Sequence, residues 1–486
     1  MPSLLPKPTP ATKNYQRHQP EKTTLYQLIH DNYLDLDRYF SEQGKYLPAY
    51  VKREFEAYLK CGKLENGFLR VRCEDCHHER LVAFSCKKRG FCPSCGASRM
   101  AQTAALLSDH IFPHQPVRQW VLSLPFPLRF LLAAKPELIT PVLKIIVRAI
   151  SSALIKKAGL THNDAETGAV TLIQRFGSAL NLNIHYHMLF LDGVYIKPKI
   201  GDRPKFIPVK AFTATELIAV LNRISRRIVR FMEKTGYLEK DAEQPFLNLD
   251  EPDDTGMQQI QGCAITYRIA VGPMQGKKAL TLQTIPAIIE ENYSSAVKLN
   301  GFSLHAGVVC QAKERQKLER LCRYISRGAL SEKRLSIGKQ GQVIYRLKSP
   351  YNNGTTHVVF SPMDFMARLA ALIPPPRLNL TRYHGVFASN SKLRPLITKP
   401  QRKANKSSIK KHSHSTRINW AERLKRVFKI DIEVCSECGG KVKIIASIKD
   451  PLVIDQILSH LNLIDDIIPP AFQLPEAQGP PQEVFF

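Results

Sequence analysis

Apolar residues recur at helical spacing between Thr24 and Lys60, with Leu25, Leu28 and Ile29 and later Phe55, Tyr58 and Leu59, which predicts a helical start to the folded chain. Cysteine-rich sequence fills 61–95, and a helix from about Ala97 to Ile111 follows. Gln119–Pro125 (QWVLSLP) reads as a short strand stopped by proline. Leu138–Lys157 has helical spacing, whereas Ala169–Phe176 and Asn183–Tyr195 read as strands joined by a turn at Gly177–Leu182. Thr213–Gly236 is an amphipathic helix with a basic face. Phe302–Cys310 predicts another strand, leading into a helix at 312–327. Strands at 343–348 and 356–361 and a helix at 363–372 come before the break Pro374-Pro375-Pro376. Strands and helices mixed in this way predict an α+β fold.

At 486 residues, several domains are expected. Residues 1–22 are rich in proline and read as a disordered N-terminus. A helical and zinc-ribbon unit is expected at 23–112 and a core at 113–390, with 240–300 as an insertion. A basic linker at 391–430 and a C-terminal extension at 431–486 complete the chain. Between Lys392 and Lys429 there are 13 Lys or Arg and one acid, Glu422. The whole chain carries a formal charge of +28, which makes a polyanion, nucleic acid first, the expected partner. A membrane is the weaker option, because the apolar stretches 119–134 and 140–155 are broken by Arg129, Lys144 and Arg148. The N-terminus lacks an apolar leader and the eleven cysteines are odd in number. Both features point to reduced, metal-binding thiols and a cytoplasmic, nucleoid-associated location.

Cys73-x-x-Cys76 and Cys92-x-x-Cys95 are separated by 15 residues. That spacing predicts one closed structural zinc site of four thiolates, with Cys86, His77 and His78 as spare ligands. Arginines and lysines around it, among them Arg70, Arg89 and Arg99, suit a surface that grips phosphate. Cys435-x-x-Cys438-Gly439-Gly440 is half of such a site with no later cysteine. His460 supplying a ligand and a turn without metal are both open readings.

His185 and His187 flank Tyr186 within a strand pattern, so both imidazoles share one face. The triplet alone is a weak signal, since His412-Ser413-His414 repeats it in the basic linker without strand character. Its context strengthens it. Folding 169–176 back on 183–191 brings Gln174 near the level of the histidines, and an amide oxygen there completes a set with open positions. Such a set suits Mg²⁺ or Mn²⁺. Register decides between Gln174 and the runner-up His305. On the helix at 314–327, Leu318, Leu321, Cys322 and Ile325 form the apolar stripe, while Tyr324 lies beside it with Lys317, Arg320 and Arg327. A tyrosine among cations is placed to meet a phosphodiester.

These residues resemble the three-motif order of the HUH endonucleases, the rolling-circle nucleases. More narrowly, the chain is similar to rolling-circle insertion-sequence transposases of the common-region type. The similarity runs through SCKKRGFCPSC, PVRQWVLSLPFPLR, NIHYHMLFLDGVY, LERLCRYISRGAL, GTTHVVFSPMDFMARLAALIPPPR, LTRYHGVFA and CSECGG, from about residue 45 to 465. It implies a central antiparallel sheet flanked by helices, with a catalytic metal on His185, His187 and Gln174. It also implies Tyr324 as the nucleophile, forming a 5′-phosphotyrosine link to single-stranded DNA at transposon ends, and contacts to duplex DNA. Some relatives carry a second tyrosine four residues on. Position 328 is Gly here, which resembles the single-tyrosine branch and leaves Tyr351 and Tyr383 as substitutes. Two rival readings are a zinc-ribbon regulator without catalysis and a nuclease that hydrolyses with activated water.

Overall fold

In a computed structural model, residues 19–198, 202–240, 254–286, 296–398 and 434–461 are described, with the backbone alone at 13–14, 245–247 and 430–431. The fold is α+β. Its centre is a six-stranded sheet ordered Ala296–Leu299, Phe302–Cys310, Val117–Ser123, Leu182–Leu191, Gly168–Phe176 and Thr381–Gly385, and every neighbouring pair is antiparallel.

Alternation along the inner strands sends two sets of side chains to opposite faces. Ile184, Tyr186, Met188 and Phe190 point into a large core with Trp120 and Leu122. Helices Phe126–Ala134, Ile139–Lys157, Ala214–Lys234, Met257–Ile265 and Pro362–Leu372 contribute to that core. The other face carries His185 and His187 and then Leu189 and Leu191, which pack against Leu318, Cys322 and Ile325 of helix Arg315–Ile325. Among the described residues, one helical stretch, Pro136–Lys157, is long and apolar enough to cross a membrane. It buries Val142, Ile146 and Ile150 in the core and exposes Lys144 and Arg148.

Local chemistry fixes the helix ends. Thr213 and Glu216 form a capping box at the start of Ala214–Lys234, and the Thr23 hydroxyl accepts from the Tyr26 N–H at 3.2 Å. The described part of the expected insertion is woven into the fold. The Asp364 carboxylate accepts from the Ala270 N–H at 2.7 Å, and strand Leu280–Gln283 pairs with Thr355–Phe360.

The cysteine-rich segment does not stand apart. Phe91, Cys92 and Cys95 belong to the same core cluster as Trp120 and Tyr186. Helix Pro93–Leu106, prolonged by a π-helical turn Leu107–Ile111, lies beside helix Arg315–Ile325. The close approach is at Gly96, where an added Cβ would sit 3.5 Å from the Gly328 Cα. The C-terminal strand Val442–Ile448 pairs with Phe68–Cys73, which pairs in turn with Glu79–Ala83, so residues from both ends of the chain share one three-stranded sheet. Most of the basic linker, His412 and His414 included, lies outside the described residues.

Candidate functional site

Hairpin register builds the site. Gln174 pairs directly with His185, and Leu172 with His187. On the other flank, Ser123 pairs with His185 and Val121 with His187. Directly opposed residues of an antiparallel pair share a face, so Gln174 stands with the histidines as expected. His305 is one strand further out, paired with Val121.

The imidazoles meet with His185 Nε2 and His187 Nε2 3.1 Å apart. His185 donates from Nδ1 to the Asn183 carbonyl at 2.8 Å, and the Gln119 amide nitrogen lies 2.8 Å from His187 Nδ1. These contacts form one consistent chain. Gln119 donates to His187 Nδ1, His187 Nε2–H donates to His185 Nε2, and His185 Nδ1–H donates to the main chain. Burial lowers His185 to about 4, aided by Arg129 and Arg327 and opposed by the Asn183 hydrogen bond. Burial lowers His187 to about 3, aided by His185 and Arg327. Both rings are therefore neutral near pH 7, the form that ligates metals.

Gln174 Nε2 donates to the Ile325 carbonyl at 2.7 Å. This bond ties the end of the tyrosine helix to the residue opposite His185, and it turns the amide oxygen away from the helix. Tyr324 is 43% exposed. Arg327 lies 4.3 Å and Lys348 4.5 Å from its ring centroid. The expected apolar stripe is present: Leu318, Cys322 and Ile325 are buried and Leu321 is half-buried.

Of the three cations singled out on this helix, Arg327 is brought to the tyrosine and acts on both histidines. Lys317 pairs with Glu314 at 3.1 Å, and Arg320 is exposed. The two spare tyrosines lie elsewhere. Tyr351 meets the Ser178 hydroxyl at 3.2 Å, and Tyr383 pairs with Val170, further along the sheet. Lys348, Gln119 and Arg129 went unread in the sequence. Lys348 reaches the tyrosine from the loop between strands Val343–Arg346 and Thr355–Phe360. Gln119 sits two residues before Val121, on the strand beside the histidines, and the same alternation that found Gln174 also marks it.

The expected single zinc site of Cys73, Cys76, Cys92 and Cys95 is not formed. The two pairs belong to different clusters: Cys61, Cys86, Cys92 and Cys95 in one, and Cys73, Cys76, Cys435 and Cys438 in the other. In each, all four sulfurs lie within 4.8 Å of one another. Four thiolates about 2.3 Å from a tetrahedral zinc stand about 3.8 Å apart. The measured separations fit. Cys61 lies 3.8 Å from both Cys92 and Cys95, and Cys86 is 3.4 Å from Cys95. Cys73–Cys438 is 3.5 Å and Cys76–Cys435 is 3.6 Å. All-thiolate sets with no open position suit structural zinc.

The physical reason for the regrouping lies in the knuckles. The Cys76 and Asp75 N–H groups pull Cys73 down to about 7, although burial opposes them, and the Cys438 and Glu437 N–H groups lower Cys435 in the same way. His77 and Gly439 follow their knuckles with φ of 59° and 76°. A side chain at Gly440 would collide with Asp75 and Cys73, so the second glycine of Cys-Gly-Gly is what lets the two knuckles face each other. His460, on helix Pro451–His460, is not among the ligands.

The chain thus joins a mixed sheet-and-helix body, two four-thiolate clusters suited to structural zinc, a buried histidine pair, and a cation-flanked tyrosine on a helix tied to the same sheet face. Comparison with known families makes this specific. Residues 32–124 match the transposase zinc-binding domain of the IS91 type, and residues 168–394 match the family described as "Putative transposase". Both matches are to transposases, which are DNA-processing enzymes, and together they are those of an IS91-type transposase. No curated protein and no solved structure matches it.

Proposed function

We propose that the chain transposes DNA by a rolling-circle route, nicking a single strand through Tyr324 and holding the 5′ end as a phosphotyrosine. One observation carries the reading: His185, His187 and Gln174 share a sheet face, and Gln174 is bonded to Ile325, the neighbour of Tyr324. His185, His187 and Gln174 would hold Mg²⁺ or Mn²⁺, which when bound polarises the scissile phosphate and offsets its developing charge.

The protein's own residues prepare that state. Burial keeps both imidazoles neutral. His185 carries its proton on Nδ1, against Asn183, so its Nε2 lone pair becomes available once His187 no longer donates to it. Turning the Gln119 amide so that its oxygen accepts from His187 Nδ1–H frees the second Nε2. Tyr324 Oη then attacks phosphorus. The Oη–P bond forms, the P–O3′ bond breaks, and the phenol proton leaves to solvent while the departing 3′ oxygen gains one. One phosphodiester replaces another, so the link stays competent for reversal onto a new 3′-hydroxyl. Arg327 and Lys348 bring positive charge to the phosphate at the moment of attack. Position 328 is glycine, so this helix supplies a single nucleophile.

The test is to incubate the protein with end-labelled single-stranded DNA and Mn²⁺ and to resolve products on denaturing gels. A protein-linked band that is absent in Tyr324→Phe is expected. Cleavage without a linked band would show hydrolysis by water, and binding without cleavage would show a regulator. Either result would sink the proposal.

A further inference from the structure

A cavity of about 300 Å³ opens between helix Pro93–Leu106 and the central sheet, where strand Gly168–Phe176 runs past the end of its edge partner Thr381–Gly385. Its wall carries Lys88, Arg89, Arg99, Arg175 and Arg327 and, among the described residues, no carboxylate. Three of the guanidinium groups donate to main-chain carbonyls. Arg89 donates to Leu378 at 2.7 Å, Arg99 to Lys87 at 2.9 Å and Lys88 at 3.1 Å, and Arg175 to Ala371 at 3.3 Å. Glu54, the acid that Lys88, Arg89 and Arg99 act on, does not line the cavity and accepts from the Gly90 N–H at 2.6 Å.

Arg175 is the least expected member. It is 3% exposed, and its Nε and Nη1 have no hydrogen-bond partner. Burial lowers its guanidinium to about 10, with Tyr50 acting the other way. A buried guanidinium without a carboxylate costs stability. Cations gathered around one hollow make a site for an anion. The hollow also adjoins the tyrosine: Gln174, Ile325 and Arg327 line it, and Arg327 covers the Tyr324 ring. Its volume is at the lower end for ligand pockets and suits a phosphate with its sugar.

We propose that this cavity holds one backbone phosphate of the single DNA strand leading to Tyr324, gripped by Arg175 from the sheet, by Arg327 from just past the tyrosine helix and by Arg99 from the cysteine-bearing helix. The zinc-binding region and the sheet then grip one strand together, and Arg175 trades fold stability for that grip. The identity of the strand rests on the nicking reading. The grip itself is measured without any cleavage.

The experiment uses the full-length, zinc-loaded chain carrying Tyr324→Phe. Melting is followed with and without pyrophosphate, and binding of a fluorescent 20-nucleotide oligothymidylate is followed by anisotropy over a series of salt concentrations. Pyrophosphate is expected to raise the melting temperature and to compete with the oligonucleotide. Adding Arg175→Met should leave the anion-free melting temperature unchanged or higher and abolish the pyrophosphate response. It should weaken oligonucleotide binding roughly tenfold and flatten the salt slope by about 0.7, the share of one single-strand phosphate. Arg175→Lys, which keeps the charge, should restore most of the binding. If Arg175→Met does not fold, Arg99→Gln at the half-exposed rim should show the same loss. Oligonucleotide binding untouched by these substitutions would overturn the proposal, and so would pyrophosphate that stabilises the protein without competing with DNA. A linked band formed by the unsubstituted protein reports the nicking chemistry separately.

Discussion

His185 and His187 face each other across 3.1 Å with one proton between their Nε2 atoms, and this contact makes the site sensitive to acid. Their folded-state values, about 4 and about 3, lie below the 6.5 of a free imidazole. Below pH 6.5 the unfolded chain therefore takes up protons first. Stability is complete above that pH and declines as pH falls toward 4, by up to about 1.4 kcal/mol per pH unit for each ring. The melting temperature of the metal-free protein should drop more steeply over this range than that of the His185→Asn, His187→Asn double variant. Equal slopes would contradict the assignment. A second expectation concerns Lys348, 4.5 Å from the Tyr324 ring centroid. Lys348→Ala should slow adduct formation about tenfold with little change in melting temperature, since exposed charges contribute little to the fold. An unchanged rate would remove Lys348 from the site. The histidines, Gln174 and Tyr324 were legible because period-two and helical spacing report which face a side chain takes. Lys348 was not, because it lies in a loop between two later strands, and only the tertiary fold joins that loop to this helix.

Among the elements, the cysteine-bearing helix Pro93–Leu106 meets the chain just past the tyrosine helix through Gly96 and Gly328. An alanine at 96 would make an ordinary 3.5 Å contact with the Gly328 Cα, whereas a leucine must push the two segments apart. Gly96→Ala should form adduct at nearly the parent rate, and Gly96→Leu at least tenfold more slowly, with zinc content unchanged in both. Parent-like rates in Gly96→Leu would show that this contact does not position Tyr324. Strand Phe302–Cys310 was read at its observed limits and the histidine hairpin nearly so, because alternating apolar residues between turns leave few other registers. The strand expected at 183–195 instead ends at Leu191, and Gly193–Ile196 turns away to pair with Lys205–Pro208 in a different sheet. Without a side chain, Gly193 admits the close approach of Ile207 and Phe206 at that bend. The continuing hydrophobic pattern gives no sign of a change of sheet.

For the whole molecule, the regrouping of cysteines changes what holds the chain together. Spacing along the sequence favours ligands near one another, yet Cys76 and Cys435 meet across 359 positions. The sign of it was present in the sequence as one half-site, Cys435-x-x-Cys438, with no later cysteine to complete it. Two zinc ions per chain are expected by elemental analysis, and Cys92→Ser and Cys438→Ser should each lose one. The losses should differ in consequence. Cys92 is buried in the main core beside the tyrosine helix, so its variant should melt at lower temperature and nick poorly. Cys438→Ser should release 434–461 to proteolysis and leave adduct formation near the parent rate. Failure of both variants to nick would mean that the clasp between the chain ends also supports the site.

Tyr324 is the residue proposed to carry the DNA. After reaction with single-stranded DNA and Mn²⁺, nuclease trimming and proteolysis, mass spectrometry of the peptides reads this directly. The expected product is a nucleotide attached through its 5′ phosphate to the peptide containing Tyr324, with the other product ending in a free 3′-hydroxyl. A nucleotide on any other residue, or fully cleaved DNA with no peptide attached, would contradict it.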